Sequence, residues 1–238
     1  MVNKPRIYQL LRRAGVIHTE KDAIALLNSG QVKVNDKPIH NPNFQVNPKK
    51  EQITINDIPL PTQVKKVYFI LNKPAGYLTS KNPSGDKKSI MDLIDCPKEL
   101  KNTLFPVGRL DYNSSGLIII TNDGDFAHQI LQPKNRIEKE YLVTLDRPLA
   151  VADRVKLENG VIITVSNKPY KTKPATISLN PLTITIIEGK KRQVRLMFKA
   201  LGYTVTELQR IRIGNLKLNI KGAEYKEIEK EEALQALS

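Results

Sequence analysis

Apolar spacing changes character several times along the chain, and each change marks an element. Ile7, Leu10, Leu11 and Ala14 recur at helical intervals and Gly15 suits a stop, which predicts a first helix. Thr19 can cap a second helix, with Asp22 three residues on in an imperfect capping box. Ile24, Leu26 and Leu27 supply its apolar contacts and Gly30 ends it. Val32, Lys33 and Val34 then alternate as a strand into an Asn35-Asp36 turn, and residues 53–55 read as a later strand. Two helices feeding a small hairpin unit predict a compact α+β module over residues 1–60. Pro59, Pro61 and Thr62 read as a linker into a larger domain over residues 61–238.

In that larger region residues 67–71 predict a strand ending in the turn Asn72-Lys73-Pro74-Ala75-Gly76. Residues 117–121 form a continuous apolar strand, and Asp125 then caps a helix carrying Phe126, Ile130 and Leu131. Further strands are predicted at 141–145, at 177–179 and 182–187 around Asn180-Pro181, and at 204–208 and 211–218. Val194, Met197, Phe198 and Leu201 make one apolar helical stripe, while Arg192, Arg195 and Lys199 share another face. Strands follow one another with few crossover helices. That succession favours an α+β fold on a mixed, mainly antiparallel sheet with flanking helices over a doubly wound one.

Charge sharpens this picture. The 238 residues carry a net +14, and residues 188–221 hold nine Lys and Arg against Glu188 and Glu207, whereas the chain from Gly222 turns acidic. A clustered basic face favours a polyanion partner, most often nucleic acid; a merely solvated face is the plain alternative. Cys96 is the single cysteine, so no internal disulfide is available and a reducing, cytoplasmic setting is expected. The Met1 end lacks a signal-peptide pattern and no apolar run approaches a membrane span, so no membrane partner is expected. His18, His40 and His128 are scattered, and no metal site is predicted. Asn122-Asp123-Gly124-Asp125 lacks the ligand alternation and closing Glu of a calcium loop and reads as a turn.

The densest candidate chemistry lies at residues 106–125. Asp111 follows Arg109 on a loop kept small by Ser114, Ser115 and Gly116, and that loop runs into the strand 117–121. A lone loop Asp is usually a turn residue or a cap. A reactive one has to be ionised, and a nearby cation favours that form. Arg195 is the best such donor, since arginine stays charged and binds carboxylates bidentately; the plain alternative is a solvated helix face. Tyr141 opens a strand and is by default a half-buried aromatic. With eight Tyr, five Phe and no Trp, however, few rings are present on which a base could stack. Lys73 and Gly76 form a basic turn or an ordinary hairpin corner.

Three ordered segments carry a resemblance. They are Gly108-Arg109-Leu110-Asp111 with Ser115-Gly116-Leu117, Lys139-Glu140-Tyr141, and Glu188-Gly189-Lys190-Lys191-Arg192-Gln193-Val194-Arg195. Together they resemble the motifs of bacterial rRNA pseudouridine synthases of the RsuA/RluB/RluE/RluF family. Leu71-Asn72-Lys73-Pro74-Ala75-Gly76 is similar to that branch's opening catalytic strand and turn, and the first 60 residues to its S-four-type RNA-binding module.

The resemblance implies isomerisation of a specific rRNA uridine to pseudouridine without a cofactor. Asp111 would be nucleophile or base, Tyr141 would stack on the flipped uracil, and Arg195 would pair with Asp111. Arg109 would fill the space the nucleotide leaves, with Lys73, Arg192, Arg12, Arg13 and Lys21 as further RNA contacts. The partner would be ribosomal RNA or a pre-ribosomal particle, met by a monomer. Two departures stand out. Thr19-Glu20-Lys21 occupies a place where relatives often show Ser-Arg-Arg, and Arg192-Gln193-Val194-Arg195 is closer to large-subunit than to small-subunit types. The rival reading is a non-catalytic RNA-binding assembly factor. An ordinary glycosidase is disfavoured because no second acid belongs to the matched segments.

Overall fold

The computed structural model describes residues 4–17, 19–61, 65–80 and 86–238. His18, Thr62 and the first three residues lie outside them. Two compact units emerge, Met1–Lys66 with Cys96–Leu104, and Val67–Asp95 with Phe105–Ser238.

In the first unit α1 (Ile7–Arg13) and α2 (Glu20–Asn28) precede four short strands, β1 (Val32–Val34), β2 (Lys37–Pro38), β3 (Ile53–Ile55) and β4 (Ile58–Pro59), in the order β2-β1-β3-β4. Thr19 caps α2 in a full capping box, its hydroxyl accepting from Asp22 N (3.2 Å) while Thr19 N donates to the Asp22 carboxylate (2.8 Å). Asn35-Asp36 and Asn56-Asp57 both take positive φ, the conformation that matches a two-residue hairpin turn to strand twist. Pro38 and Pro59 sit on the two edge strands, where a missing N–H costs no ladder bond. Pro59 therefore belongs to the sheet and not to a linker. An unanticipated helix, α3 (Lys98–Thr103), also joins this unit, and a Cβ on Gly15 would lie 3.1 Å from the side chains of Asn102 and Thr103.

The second unit is built on one large sheet, ordered β11-β12-β8-β13-β7-β5-β15. Its strands are β5 (Tyr68–Lys73), β6 (Phe105–Pro106), β7 (Ser115–Thr121), β8 (Lys139–Leu145), β11 (Thr176–Leu179), β12 (Leu182–Ile186), β13 (Val205–Ile213), β14 (Leu216–Lys217) and β15 (Tyr225–Ile228). Only the β13–β7 pairing is parallel, and β6 and β14 flank β7 and β13. The mixed α+β class read from the sequence is what folds. Every residue of β7 from Gly116 on is buried, which is why its pattern is a continuous apolar run without alternation. One core gathers Tyr68, Ile70, Leu117 and Ile119 under α4 (Gly124–Leu131), through Phe126 and Ile130. Another gathers Val143, Ile184 and Leu208 under α5 (Val151–Glu158) and α6 (Gln193–Ala200), through Leu157, Val194, Met197 and Phe198.

Four local expectations change. The cap of α4 is Asp123, whose carboxylate accepts from Asp125 N and Phe126 N and also receives the Tyr68 hydroxyl at 2.8 Å. Strand β5 continues through Lys73, because its ladder with β7 extends to Lys73↔Gly116. The predicted strands 204–208 and 211–218 are mainly one, β13; Gln209 and Arg210 are paired to β8 on one side and β7 on the other, so the chain cannot break there. Finally, a hairpin of β9 (Ile162–Val165) and β10 (Lys168–Lys171) turns at Ser166-Asn167, both at positive φ. Among the described residues no helix is long and apolar enough to cross a membrane.

Candidate active site

Asp111 lies on the loop that leaves β6 and returns as β7. The backbone of this loop is tethered at five consecutive carbonyls. Thr79 Oγ1 donates to Leu110 O (3.0 Å) and accepts from Leu110 N (3.2 Å). Asp111 O accepts from Ser114 N (3.0 Å), and Tyr112 O from Gly76 N (2.9 Å). Arg195 Nη2 donates to Asn113 O (2.9 Å), and Lys73 Nζ to Ser114 O (2.7 Å) as well as to the carbonyls of Asp111 (3.2 Å) and Tyr112 (3.3 Å). With so much of the backbone held, only the half-buried side chain of Asp111 is left to act. Among the described residues no hydrogen bond or ion pair within 4 Å engages its carboxylate.

Gly116 makes the geometry behind the loop possible. Its φ is +105°, and a Cβ there would stand 2.2 Å from the carbonyl oxygen of Arg210. Only glycine lets β7 run this close beside β13. Arg210 closes the junction from the other side, its Nε donating to Leu117 O at 2.7 Å.

Two expected roles are corrected. Lys73 is wholly buried, so it cannot be a surface contact to RNA; it is a clamp under the loop, with Pro74 O (3.0 Å) as its fourth acceptor. Burial pulls its ammonium down to about 8, against the lifting charge of Asp111. Arg195 does not form the expected direct pair with Asp111. Its Nη1 donates to Val205 O (2.7 Å) and its Nη2 to Asn113 O, with Ser114 Oγ at 3.5 Å. Burial and the neighbouring Arg192 charge lower its pKa, while the charge of Asp111 opposes them. It therefore ties the loop to β13 and meets Asp111 through space. Nor do the three cations share a helix face. Arg192 precedes α6 at φ +56°, Arg195 turns inward, and Lys199 is exposed.

Asp111 opens onto a cavity of about 510 Å³, within the range of small-ligand sites. Tyr141 from β8, Arg109, Ser114 and Arg192 line it too. Arg12, Arg13 and Lys21 are exposed on α1 and α2 of the other unit. The cavity lining carries Arg109, Lys139, Lys173, Lys190, Lys191, Arg192 and Arg210 against Asp111 and Glu188, so it suits an anionic ligand. Glu188 is not a free second acid. Its carboxylate accepts from Tyr170 Oη (2.6 Å), Lys173 N (3.0 Å) and Gln193 Nε2 (2.5 Å), which fixes the basic turn 188–193. That bond to Glu188 is also the main reason the Tyr170 pKa is raised.

Lys139 and Arg210 escaped the residue-by-residue reading. The available signals were a lysine in phase with Tyr141 on one strand and an arginine two residues from Leu208 in the mixed strand 205–213. Among the described residues no group of three or more His, Cys, Asp or Glu could hold a metal ion.

Comparison with known proteins places this geometry. The family model for RNA pseudouridylate synthase matches residues 67–200. A ribosomal small subunit pseudouridine synthase A of Salmonella typhimurium is 36% identical over 87% of this chain and 89% of its own. A ribosomal large subunit pseudouridine synthase B of Bacillus subtilis is 33% identical over 86% and 84%. A crystal structure of a pseudouridylate synthase superposes with a TM-score of 0.69 at 30% identity, covering 97% of this chain and 99% of the other. The loop, the cavity and these matches agree: the chain belongs to the RNA pseudouridylate synthase family.

Proposed function

We propose that this protein isomerises a uridine of ribosomal RNA to pseudouridine, with Asp111 as its nucleophile or base. The observation that carries the reading is an unengaged carboxylate on an immobilised loop, lining one cationic cavity together with Tyr141. The relatives named for small- and large-subunit rRNA support the substrate class. The segment Arg192-Gln193-Val194-Arg195 favours the large subunit. The first unit serves as an S-four-type RNA-binding module through Arg12, Arg13 and Lys21.

In this reading Arg109, Arg192 and their basic neighbours hold the RNA backbone, in a salt-dependent manner. The uridine flips out, at a cost of a few kcal/mol, and stacks on Tyr141. Asp111 assists departure of uracil, the base turns, and its carbon five bonds to the sugar. Confinement of both fragments is worth several kcal/mol, because free uracil would diffuse away. Arg195 and Lys73 act through the loop, as positioning residues. The reaction happens on ribosomal RNA or a pre-ribosomal particle in the cytoplasm.

Tritium release from rRNA labelled at carbon five of uridine tests this. Wild type releases label and Asp111→Ala does not. Absence of release by wild type from naked rRNA and from subunit particles alike would defeat the enzymatic reading in favour of a non-catalytic assembly factor. Equal release by both proteins would defeat the role of Asp111.

A further inference from the structure

Arg210 and Arg212 stand two residues apart on β13 and have opposite surroundings. Arg212 donates to Glu140 (2.7 Å) and Glu138 (2.9 Å), and it lies outside the cavity lining. Arg210 is 5% exposed and faces the cavity. Among the described residues its guanidinium has one hydrogen-bond partner, the Leu117 carbonyl at Nε, and its Nη2 is buried without any acceptor. A buried guanidinium with an empty N–H and no carboxylate is costly unless a ligand completes it.

Lys139 lines the same cavity. It alternates with Tyr141 on β8, and Tyr141 is the register partner of Arg210, so the three side chains project from one face of the sheet. Among the described residues the Lys139 ammonium makes one hydrogen bond, to Ile137 O at 2.7 Å. Burial and then the charge of Arg210 lower its pKa to about 8.

We infer that Lys139 and Arg210 form a cationic floor that binds an exocyclic oxygen of the target uracil and takes up the negative charge of the base as it departs. This rests on the function proposed above. When the bond between C1′ and N1 breaks, its electron pair leaves with N1 and spreads onto the two exocyclic carbonyl oxygens of the base. Asp111 balances the sugar, by bonding C1′ or by taking a sugar proton. When carbon five bonds to C1′, the electron pair leaves the exocyclic oxygens again, Asp111 is regenerated, carbon five loses its proton and N1 gains one. The floor is thus needed only while the base is anionic, which is how a fixed donor accelerates a reaction. A backbone phosphate is the weaker candidate for this place. The exposed Arg109 and Arg192 at the loop and turn are better set to meet it, and Arg210 is buried at the position paired with Tyr141 in the sheet.

The test uses an rRNA fragment carrying the uridine whose modification depends on this protein, under single turnover. Wild type, Lys139→Met and Arg210→Gln are each given uridine, 2-thiouridine or 4-thiouridine at that position, or a methylphosphonate at its phosphate. Both variants are expected to slow isomerisation of the uridine fragment about 100-fold, the scale of losing one oxyanion donor, with RNA affinity within threefold of wild type. One thio substitution slows wild type but slows the variants no further, whereas the methylphosphonate slows all three proteins alike. Full additivity of both thio effects, coupling to the methylphosphonate instead, or wild-type rates in the variants would overturn the inference. Should Arg210→Gln fail to fold because the Leu117 carbonyl is released, Lys139→Met decides alone. Failure of wild type to convert the uridine fragment would instead count against the proposed function.

Discussion

Replacing Lys73 with methionine separates what holds the fold from what holds the nucleophile. The side chain is wholly buried and its ammonium has four carbonyl acceptors at 2.7 to 3.3 Å. Burial lowers its pKa from 10.5 to about 8, a penalty of about 3 kcal/mol on the charged form relative to the unfolded chain, which methionine removes. Against that relief stand the lost hydrogen bonds to a charged donor, each worth about 1.5–3 kcal/mol. Of the four acceptors only Ser114 belongs to a buried residue; Pro74, Asp111 and Tyr112 are half-buried or exposed, and water can replace the lysine there. Methionine fills nearly the same volume, so no large cavity forms. The net loss of stability is therefore about 2 kcal/mol. The loop, however, loses the group joining three of its carbonyls, and a drift of about 1 Å in Asp111 costs about 100-fold in rate.

Urea unfolding and single-turnover tritium release measure the two effects side by side. A Lys73→Met protein that is stable and turns over within threefold of wild type would refute the positioning argument. Loss of more than about 5 kcal/mol would show that the charge supports the fold itself. The pH dependence supplies a second signature. Because the folded state holds this proton more weakly than the unfolded chain, the unfolded chain binds more protons between pH 8 and 10.5, and stability rises with pH across that window. Lys139, also lowered to about 8, contributes a similar rise. Lys73→Met keeps only the part due to Lys139.

Gly116→Ala is expected to lose at least about 3 kcal/mol, measured by thermal melting, because the new methyl meets Arg210 O at 2.2 Å from a strained φ; an unchanged melt would refute the close β7–β13 approach. Arg195→Met frees the carbonyls of Asn113 and Val205, so the rate of isomerisation falls about 100-fold while RNA affinity stays within threefold, as read by tritium release and filter binding. Arg192→Ala, at an exposed residue of the cavity lining, weakens RNA binding and reduces the slope of log affinity against log salt by about 1; an unaltered slope would remove Arg192 from the phosphate contacts.

Much of this protein was legible without coordinates. The Thr19 cap, the Asn35-Asp36 turn, the strand that fixes Asp111 and the α+β class all depend on neighbours within a few residues. Helical and strand periods, capping geometry and turn chemistry act over that range. Repeated signals were there to be read as well, since Asn56-Asp57 repeats the dipeptide of the first hairpin turn. Asp111 and Tyr141, named from motif and ring scarcity, do line one cavity.

What the sequence could not determine is which polar groups lose water. Lys73 reads as a basic corner until β5 pairs with β7 and carries its ammonium under a loop 38 to 41 residues away. Arg195 reads as the cation for Asp111, or as a solvated helix residue, until the Asn113 carbonyl, 82 residues earlier in the chain, receives it. Arg210 becomes a buried donor only because the single parallel pairing in the sheet sets it against Leu117, 93 residues earlier. Periodicity assigns a side chain to a face; desolvation depends on what the distant chain lays over that face, and tertiary pairing alone decides that.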